Sequence, residues 1–177
     1  LLPLINQNQD RAIETVNNQL EAIIKVYDEA YLRRMRPKFG LVKQQANDSV
    51  LFREFLTILE SKKLDFTNTF RSLSSDDKKY PEIEIFKQKL AQRIDEEDHD
   101  LLHAKKIMNT ANPAIIPRNH HVESAIELSN QGDFSEFEKL LKINTDPYLD
   151  SVESMERESY LSPPTNEQVV ANTFCGT

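Results

Sequence analysis

An apolar stripe at helical spacing dominates the first part of this chain. Ile13, Val16, Leu20, Ile23, Ile24, Tyr27, Ala30 and Tyr31 recur every three or four residues, which places them on one face of a helix predicted over residues 5–36. No strand-period segment and no internal repeat occurs elsewhere in the 177 residues. The expected fold class is therefore all-α, an irregular multi-helix domain of about six or seven helices over residues 1–147. Residues 148–177 carry Pro163-Pro164, little periodicity, and five acids against one base, and are expected to form an extended acidic tail.

Punctuation residues divide the helical part. Pro37 should stop or kink the first helix, and Gly40 can supply the left-handed residue that follows a helix end. Arg33, Arg34, Arg36 and Lys38 crowd that end; they compensate the negative end of the helix dipole, with a phosphate-binding patch as the alternative. Asp48 is expected to cap a helix carrying Val50, Leu51, Phe55, Ile58 and Leu59, and Asp65 a short one through Phe70 and Leu73. Ser74–Asp77 reads as a loop, and Pro81 as the first-turn residue of a helix with Ile83, Phe86, Leu90 and Ile94 inward. A further helix over 97–109 should turn Leu101, Leu102 and Ile107 inward. Asn112-Pro113 and Ile116-Pro117 make 110–118 an ordered turn. Asn119 is expected to cap the next helix and Gly132 to close it; Ser135-Glu136-Phe137-Glu138 has the form of a capping box for the last, which Pro147 ends.

Composition excludes several functions. Three glycines, at 40, 132 and 176, lie too far apart to cradle a phosphate. A net charge of −7 argues against nucleic acid or an anionic membrane as partner, and no apolar run reaches the ~18 residues a membrane span needs. The opening Leu1-Leu2-Pro3-Leu4 lacks the features of a signal peptide and reads as cut from something longer. A single cysteine, Cys175, leaves no internal disulfide and no Cys-based zinc site, so a reducing, cytoplasmic setting is expected.

The strings that could carry chemistry have plainer readings. His99 and His103 stand four apart with Asp100 between them, a spacing that lets two imidazoles share a metal on a helix. Yet Asp is shorter than the Glu of H-E-x-x-H hydrolases, no third ligand follows, and the acidic run 95–98 reads as a solvated face. No metal is expected. His120 and His121 fall in a first helical turn, where the dipole disfavours imidazolium, so they are read as neutral packing or surface residues. Asn144-Thr145-Asp146 reads as a turn closing a helix. Cys175, the third residue from the end, is either incidental or placed to reach a sulfur elsewhere. Spacing and composition alone support a helical interaction or regulatory module.

Several strings in register go further. Tyr31–Leu41 resembles an M-R-x-K-x-G-L motif, and Asp65-Phe66-Thr67-Asn68-Thr69-Phe70-Arg71 a D-F-T-x-T-F-R element. Asn112-Pro113-Ala114-Ile115-Ile116-Pro117-Arg118-Asn119 is followed by Ala125-Ile126, Gly132-Asp133, Asp146-Pro147-Tyr148 and a terminal Thr173-Phe174-Cys175-Gly176-Thr177. In this order they resemble the C-terminal region of the selenoprotein O family, whose bacterial members are called YdiU-type proteins. The resemblance implies a parent with a kinase-like core that transfers AMP, and in bacterial members UMP, from the nucleotide to Ser, Thr or Tyr of proteins. It implies that ATP with Mg²⁺ or Mn²⁺ binds that upstream core, whose motifs are not in this sequence. No catalytic residue and no cofactor are then expected here; the partners would be the chain's own upstream core and, through it, the protein substrates. Arg33, Arg34, Arg36 and Lys38 become a phosphate or core-contact patch, and Asn112, Pro113, Pro117, Arg118 and Asn119 family-motif positions without a catalytic role. Cys175 matches the tail position where animal relatives carry selenocysteine, which implies a redox-responsive pairing with a cysteine of the core. The expected role is a non-catalytic brace with apolar surface left bare once the core is removed. The rival is a free-standing helical adaptor that presents the basic cluster to an acidic or phosphorylated protein.

Overall fold

The computed structural model describes residue 5, residues 8–148 and residues 155–170. Among these are eight α-helices and no strand: α1 Gln9–Lys38, α2 Asp48–Lys62, α3 Phe66–Ser72, α4 Glu84–Ile94, α5 Leu101–Ala111, α6 Asn119–Asn130, α7 Ser135–Asn144 and α8 Met155–Leu161. None of the described helices is long and apolar enough to cross a membrane.

α1 runs for 30 residues and contains Pro37 in its last turn. So near the end the proline costs one main-chain hydrogen bond, and the helix passes through it rather than stopping before it. Leu41 N–H then donates to Arg36 O and Gly40 N–H to Pro37 O, both at 3.0 Å, the paired closure of a Schellman motif. Gly40 has φ +72°, and a Cβ there would stand 2.8 Å from Ala104 O and 2.9 Å from Ala104 Cβ. The glycine is needed both for the turn and for the approach of α5. Gly132 closes α6 in the same way, with φ +86° and Asp133 N–H on Leu128 O.

Of the four caps the sequence suggests, one forms and three do not. Asp65 accepts the Asn68 N–H at 2.8 Å and opens α3, and Pro81 starts a 3₁₀ turn, Pro81–Ile83, that leads into α4. Asp48, by contrast, is the first residue inside α2, and its carboxylate faces Arg36 and Arg93 instead of helix N–H groups. Asn119 is likewise inside α6, behind Arg118 at the cap position. The Ser135–Glu138 box is not made: Phe134 occupies the cap position of α7, and the Asp133 carboxylate takes the Ser135 N–H at 2.9 Å. An acceptor two residues upstream has displaced the box.

The helix expected over 97–109 begins later, at Leu101, because Asp100 caps it through the His103 N–H. Its inward face is Ala104 and Met108, while Leu101 and Leu102 are exposed. The close approach to Gly40 selects the small side chain of Ala104 for that face. The 148–177 segment is not uniformly extended either; it contains α8 and a 3₁₀ turn, Asn166–Gln168.

The interior is divided in two. The larger cluster joins Met35, Phe39 and Leu41 of the first helix end to Phe52, Phe55, Phe70, Phe86, Leu90, Ile94 and Met108. Phe39 sits at its middle, stacked on Phe52 at 4.7 Å and edge-on to Phe55 at 5.3 Å and Phe70 at 5.4 Å. The smaller cluster is Ile115, Ala125, Leu140 and Tyr160, from the 112–118 turn, α6, α7 and α8.

Candidate functional site

The strings Tyr31–Leu41, Asp65–Arg71, Asn112–Asn119 and Asp146–Tyr148 meet in space at the joint between these two clusters. The joint begins where α1 ends. Lys38 Nζ donates to Ala111 O and to Asn112 Oδ1, each at 3.3 Å, and lies 5.3 Å from the Phe70 ring centre. Asn112 is buried and returns a bond from Nδ2 to Lys38 O at 2.8 Å. Burial holds the Lys38 ammonium below its usual pKa. Arg71, from α3, sends Nη1 to Asn109 O and Asn112 O, both at 2.8 Å, and Nη2 to Tyr148 O at 3.2 Å. Pro147 O accepts the N–H groups of Ala114 and Ile115 at 2.7 and 3.2 Å. Pro113 and Pro117 have no N–H to offer and keep this segment out of helix.

Arg118 completes the joint from the other side. Its guanidinium grips Asp65 with both arms, Nη1 to Oδ2 at 2.8 Å and Nη2 to Oδ1 at 3.0 Å, and Nη2 also reaches Leu161 O at 2.9 Å. Asn68 Nδ2 reaches the same carbonyl at 3.0 Å. One arginine thus ties the cap of α3 to the end of α8 by the fork geometry that suits Arg and not Lys. Burial pushes the Asp65 carboxyl upward, but Arg118 and the Asn68 N–H outweigh it and hold the pKa below 3.8.

That shift predicts an acid-sensitive α8. A carboxyl whose folded pKa is depressed stabilises the fold above its unfolded pKa and loses that contribution as pH falls through the folded value. Amide exchange of residues 158–161 should therefore speed up relative to α4 as pH drops from about 5 to below 3. In Arg118→Met the exchange should already be fast at neutral pH and change little on acidification. Equal pH dependence in wild type and variant would refute the link.

The remaining candidates are dispersed. Arg36 is buried with its Nε 3.3 Å from Asp48 Oδ2, whereas Arg33 and Arg34 are exposed, so the basic cluster is split between interior and surface. His99 lies before α5, its Nε2 3.0 Å from Gly40 O, and His103 lies on the helix; their rings are 5.1 Å apart, but they belong to no group of three or more metal-ligating side chains among the described residues. His120 and His121 pack ring to ring at 4.1 Å, and His121 lies 4.4 Å from the Tyr160 ring. Burial, then His121 and Arg118, push the His120 pKa below its usual value. The Asn144–Asp146 turn is held by Asn144 Nδ2 on Leu140 O and Thr145 Oγ1 on Lys142 O. Cys175, with the rest of residues 171–177, lies outside the described residues.

Three members of the joint carried no assigned role from sequence: Asp65 beyond its cap, Arg71, and the Leu161 carbonyl. The D-F-T-x-T-F-R string contained the first two, but nothing in its spacing named their partners. Most of the joint's described donors and acceptors pair with one another or with main chain, Arg118 Nε being a buried exception, and these bonds tie α1, α3, the 112–118 turn and α8 together.

Residues 3–145 match the family described as Protein adenylyltransferase SelO. The chain belongs to the SelO family. Curated relatives named "Protein nucleotidyltransferase YdiU" align over all of it: 32% identity over 188 residues in Alkaliphilus metalliredigens (strain QYMF), 35% over 184 in Clostridium botulinum (strain 657 / Type Ba4) and 36% over 180 in Anoxybacillus flavithermus (strain DSM 21510 / WK1). The chain spans 37% of the length of these relatives. Membership of SelO implies ATP, and the described residues fit neither a triphosphate nor a metal ion that would accompany it. They contain no group of three or more His, Cys, Asp or Glu able to hold a metal ion. Arg36, Lys38 and Arg118, the buried or half-buried cations a triphosphate would use, already hold a carboxylate or carbonyls.

Proposed function

We propose that this chain is the helical C-terminal region of a SelO-type protein nucleotidyltransferase, bracing an upstream kinase-like core that carries out the transfer. The parent would move AMP, or UMP, from the nucleoside triphosphate to Ser, Thr or Tyr of protein substrates, with ATP and Mg²⁺ or Mn²⁺ bound outside this region. Cys175 would serve as a redox-responsive tail residue. The observation that carries this reading is the joint: the family strings quoted from 35 to 148 build an internal scaffold, and the described residues hold no group of metal-ligating side chains such as phosphoryl chemistry uses. The adaptor reading is weaker, since two of the four cations it would present, Arg36 and Lys38, are turned inward.

The test uses the full-length protein with labelled ATP and Mg²⁺ or Mn²⁺, with and without reductant, beside Cys175→Ser and a version lacking this region. Label should enter protein in the wild type, depend on reductant there but not in Cys175→Ser, and drop when the region is removed. Absence of any transfer by the full-length protein would overturn the reading. Reductant-independent transfer would remove the role of Cys175 and leave the brace.

A further inference from the structure

From residue 17 to residue 29 every side chain of α1 is exposed. Only the last turns of this helix, around Met35 and Arg36, join the main cluster. At 1.5 Å per residue, roughly 20 Å of helix stands clear of the body. A helical stretch of that length without packing is marginal in water, yet its side chains are not those of a solvated helix. Ile23 and Ile24 are each 61% exposed, Val26 65% and Tyr27 67%. With Ile13, Leu20 and Tyr31 they form one apolar face on the order of 700 Å², above the ~300–600 Å² of the largest patch on a typical monomer. Glu14, Asn18, Glu21, Lys25 and Asp28 make a polar strip on the opposite side.

The width of the face indicates what covers it. Ile13, Val16, Leu20, Ile23, Tyr27 and Ala30 follow a heptad seam, but the flanking positions are Asn17, Gln19, Ile24, Val26 and Tyr31. A two-stranded coil with a second copy would keep a narrow seam rimmed by opposite charges. Here the apolar arc widens to about 160°, as for a helix that a globular body covers with more than one element. Nearly two thirds of the length of the YdiU relatives lies outside this chain, and a parent of that length would supply such a body on the same polypeptide. We infer that the Ile13–Tyr31 face of α1 is the seam onto which the rest of the parent polypeptide packs. Tyr27 and Tyr31, stacked at 6.4 Å between ring centres, are its aromatic anchors. This rests on the reading of the chain as part of a longer nucleotidyltransferase. Covalent linkage supplies the high effective concentration that makes so exposed a helix workable.

The test is made on the full-length protein. Cysteines are placed singly on the apolar face, Ile23→Cys and Tyr27→Cys, and on the polar strip, Glu21→Cys and Lys25→Cys. Maleimide labelling is then read peptide by peptide in a mass spectrometer. The face positions should label about tenfold more slowly than the strip positions, or slower still, and equally fast in denaturant. Hydroxyl-radical oxidation of Tyr27 in the unsubstituted protein gives the same information without a substitution, and should rise about tenfold on unfolding. Equal labelling of face and strip in the native protein, or no rise in Tyr27 oxidation, overturns the inference. Protection at micromolar protein that vanishes at nanomolar protein also overturns it, by assigning the face to a second copy. The brace is tested separately. If removing this region abolishes transfer while the face labels freely, the brace stands and this seam is wrong; a protected face with transfer indifferent to removal supports the seam and rejects the brace.

Discussion

Phe39→Ala should destabilise the chain by about 3–5 kcal/mol, a large share of the roughly 5–15 kcal/mol that holds a typical domain folded. The ring is fully buried and touches four other phenylalanine rings from three helices. It also lies between Lys38 and Gly40, so the wall around it includes a main-chain turn locked by two hydrogen bonds. A site so constrained cannot collapse into the space the ring leaves, which puts the loss toward the upper end of the range. Phe39→Leu keeps most of the volume and should cost about 1.5 kcal/mol or less. Urea unfolding followed by circular dichroism measures both. A loss under about 1 kcal/mol for the alanine variant would show that the cluster repacks around the gap.

Asp48→Ala should come close behind, at about 3–5 kcal/mol, for an electrostatic reason. The Asp48 side chain is 1% exposed and lies 3.3 Å from Arg36 Nε and 3.0 Å from Arg93 Nε, with the Gln45 N–H at 2.9 Å. Removing the carboxylate leaves Arg36 with no anion opposite it in a buried place. Arg93 keeps Glu97, whose carboxylate is 2.7 Å from Nη1 and also accepts the Val42 and Lys43 N–H groups. Asp48→Asn retains the shape and loses the charge, so it should fall between wild type and alanine. The decisive comparison is the triple change Asp48→Leu, Arg36→Met and Arg93→Met. Replacing a whole buried ionic group by apolar side chains is often close to neutral, so the triple variant should recover much of the loss. If it proves no more stable than Asp48→Ala, an unpaired charge is not the cause.

Helix positions were legible in the sequence wherever one residue decides them locally. Gly40 and Gly132 end helices because only a residue without Cβ adopts their positive φ easily, and Asp65 caps because its carboxylate reaches an N–H three residues on. Positions decided by distant groups were not legible. Asp48 has the chemistry of a cap but is claimed by Arg36 and Arg93, 12 residues before it and 45 after it. Leu101 and Leu102 have the character of core residues, yet Gly40 and Ala104 set the face of α5. The acidic segment after Tyr148 lacks periodicity, and its α8 is anchored through a carbonyl, Leu161 O, which no side-chain pattern reports. The same holds for the candidate site. The motif strings were visible one by one, but their convergence depends on main-chain acceptors at 109, 111, 112 and 161.

The division of the interior has a consequence for how the chain comes apart. The phenylalanine-rich cluster and the smaller Ile115–Tyr160 cluster share no buried apolar residue and are joined by the polar bonds of Arg71, Asn112 and Arg118. Hydrogen bonds of this kind transmit little cooperativity compared with a continuous apolar interior, so the two parts form separate unfolding units. The unit of α6, α7 and α8, with the smaller interior, is expected to open first, while α1 to α5 remain folded. The turns of α1 around Met35 and Phe39 belong to the unit that stays folded, while α8 belongs to the unit that is expected to open and re-form.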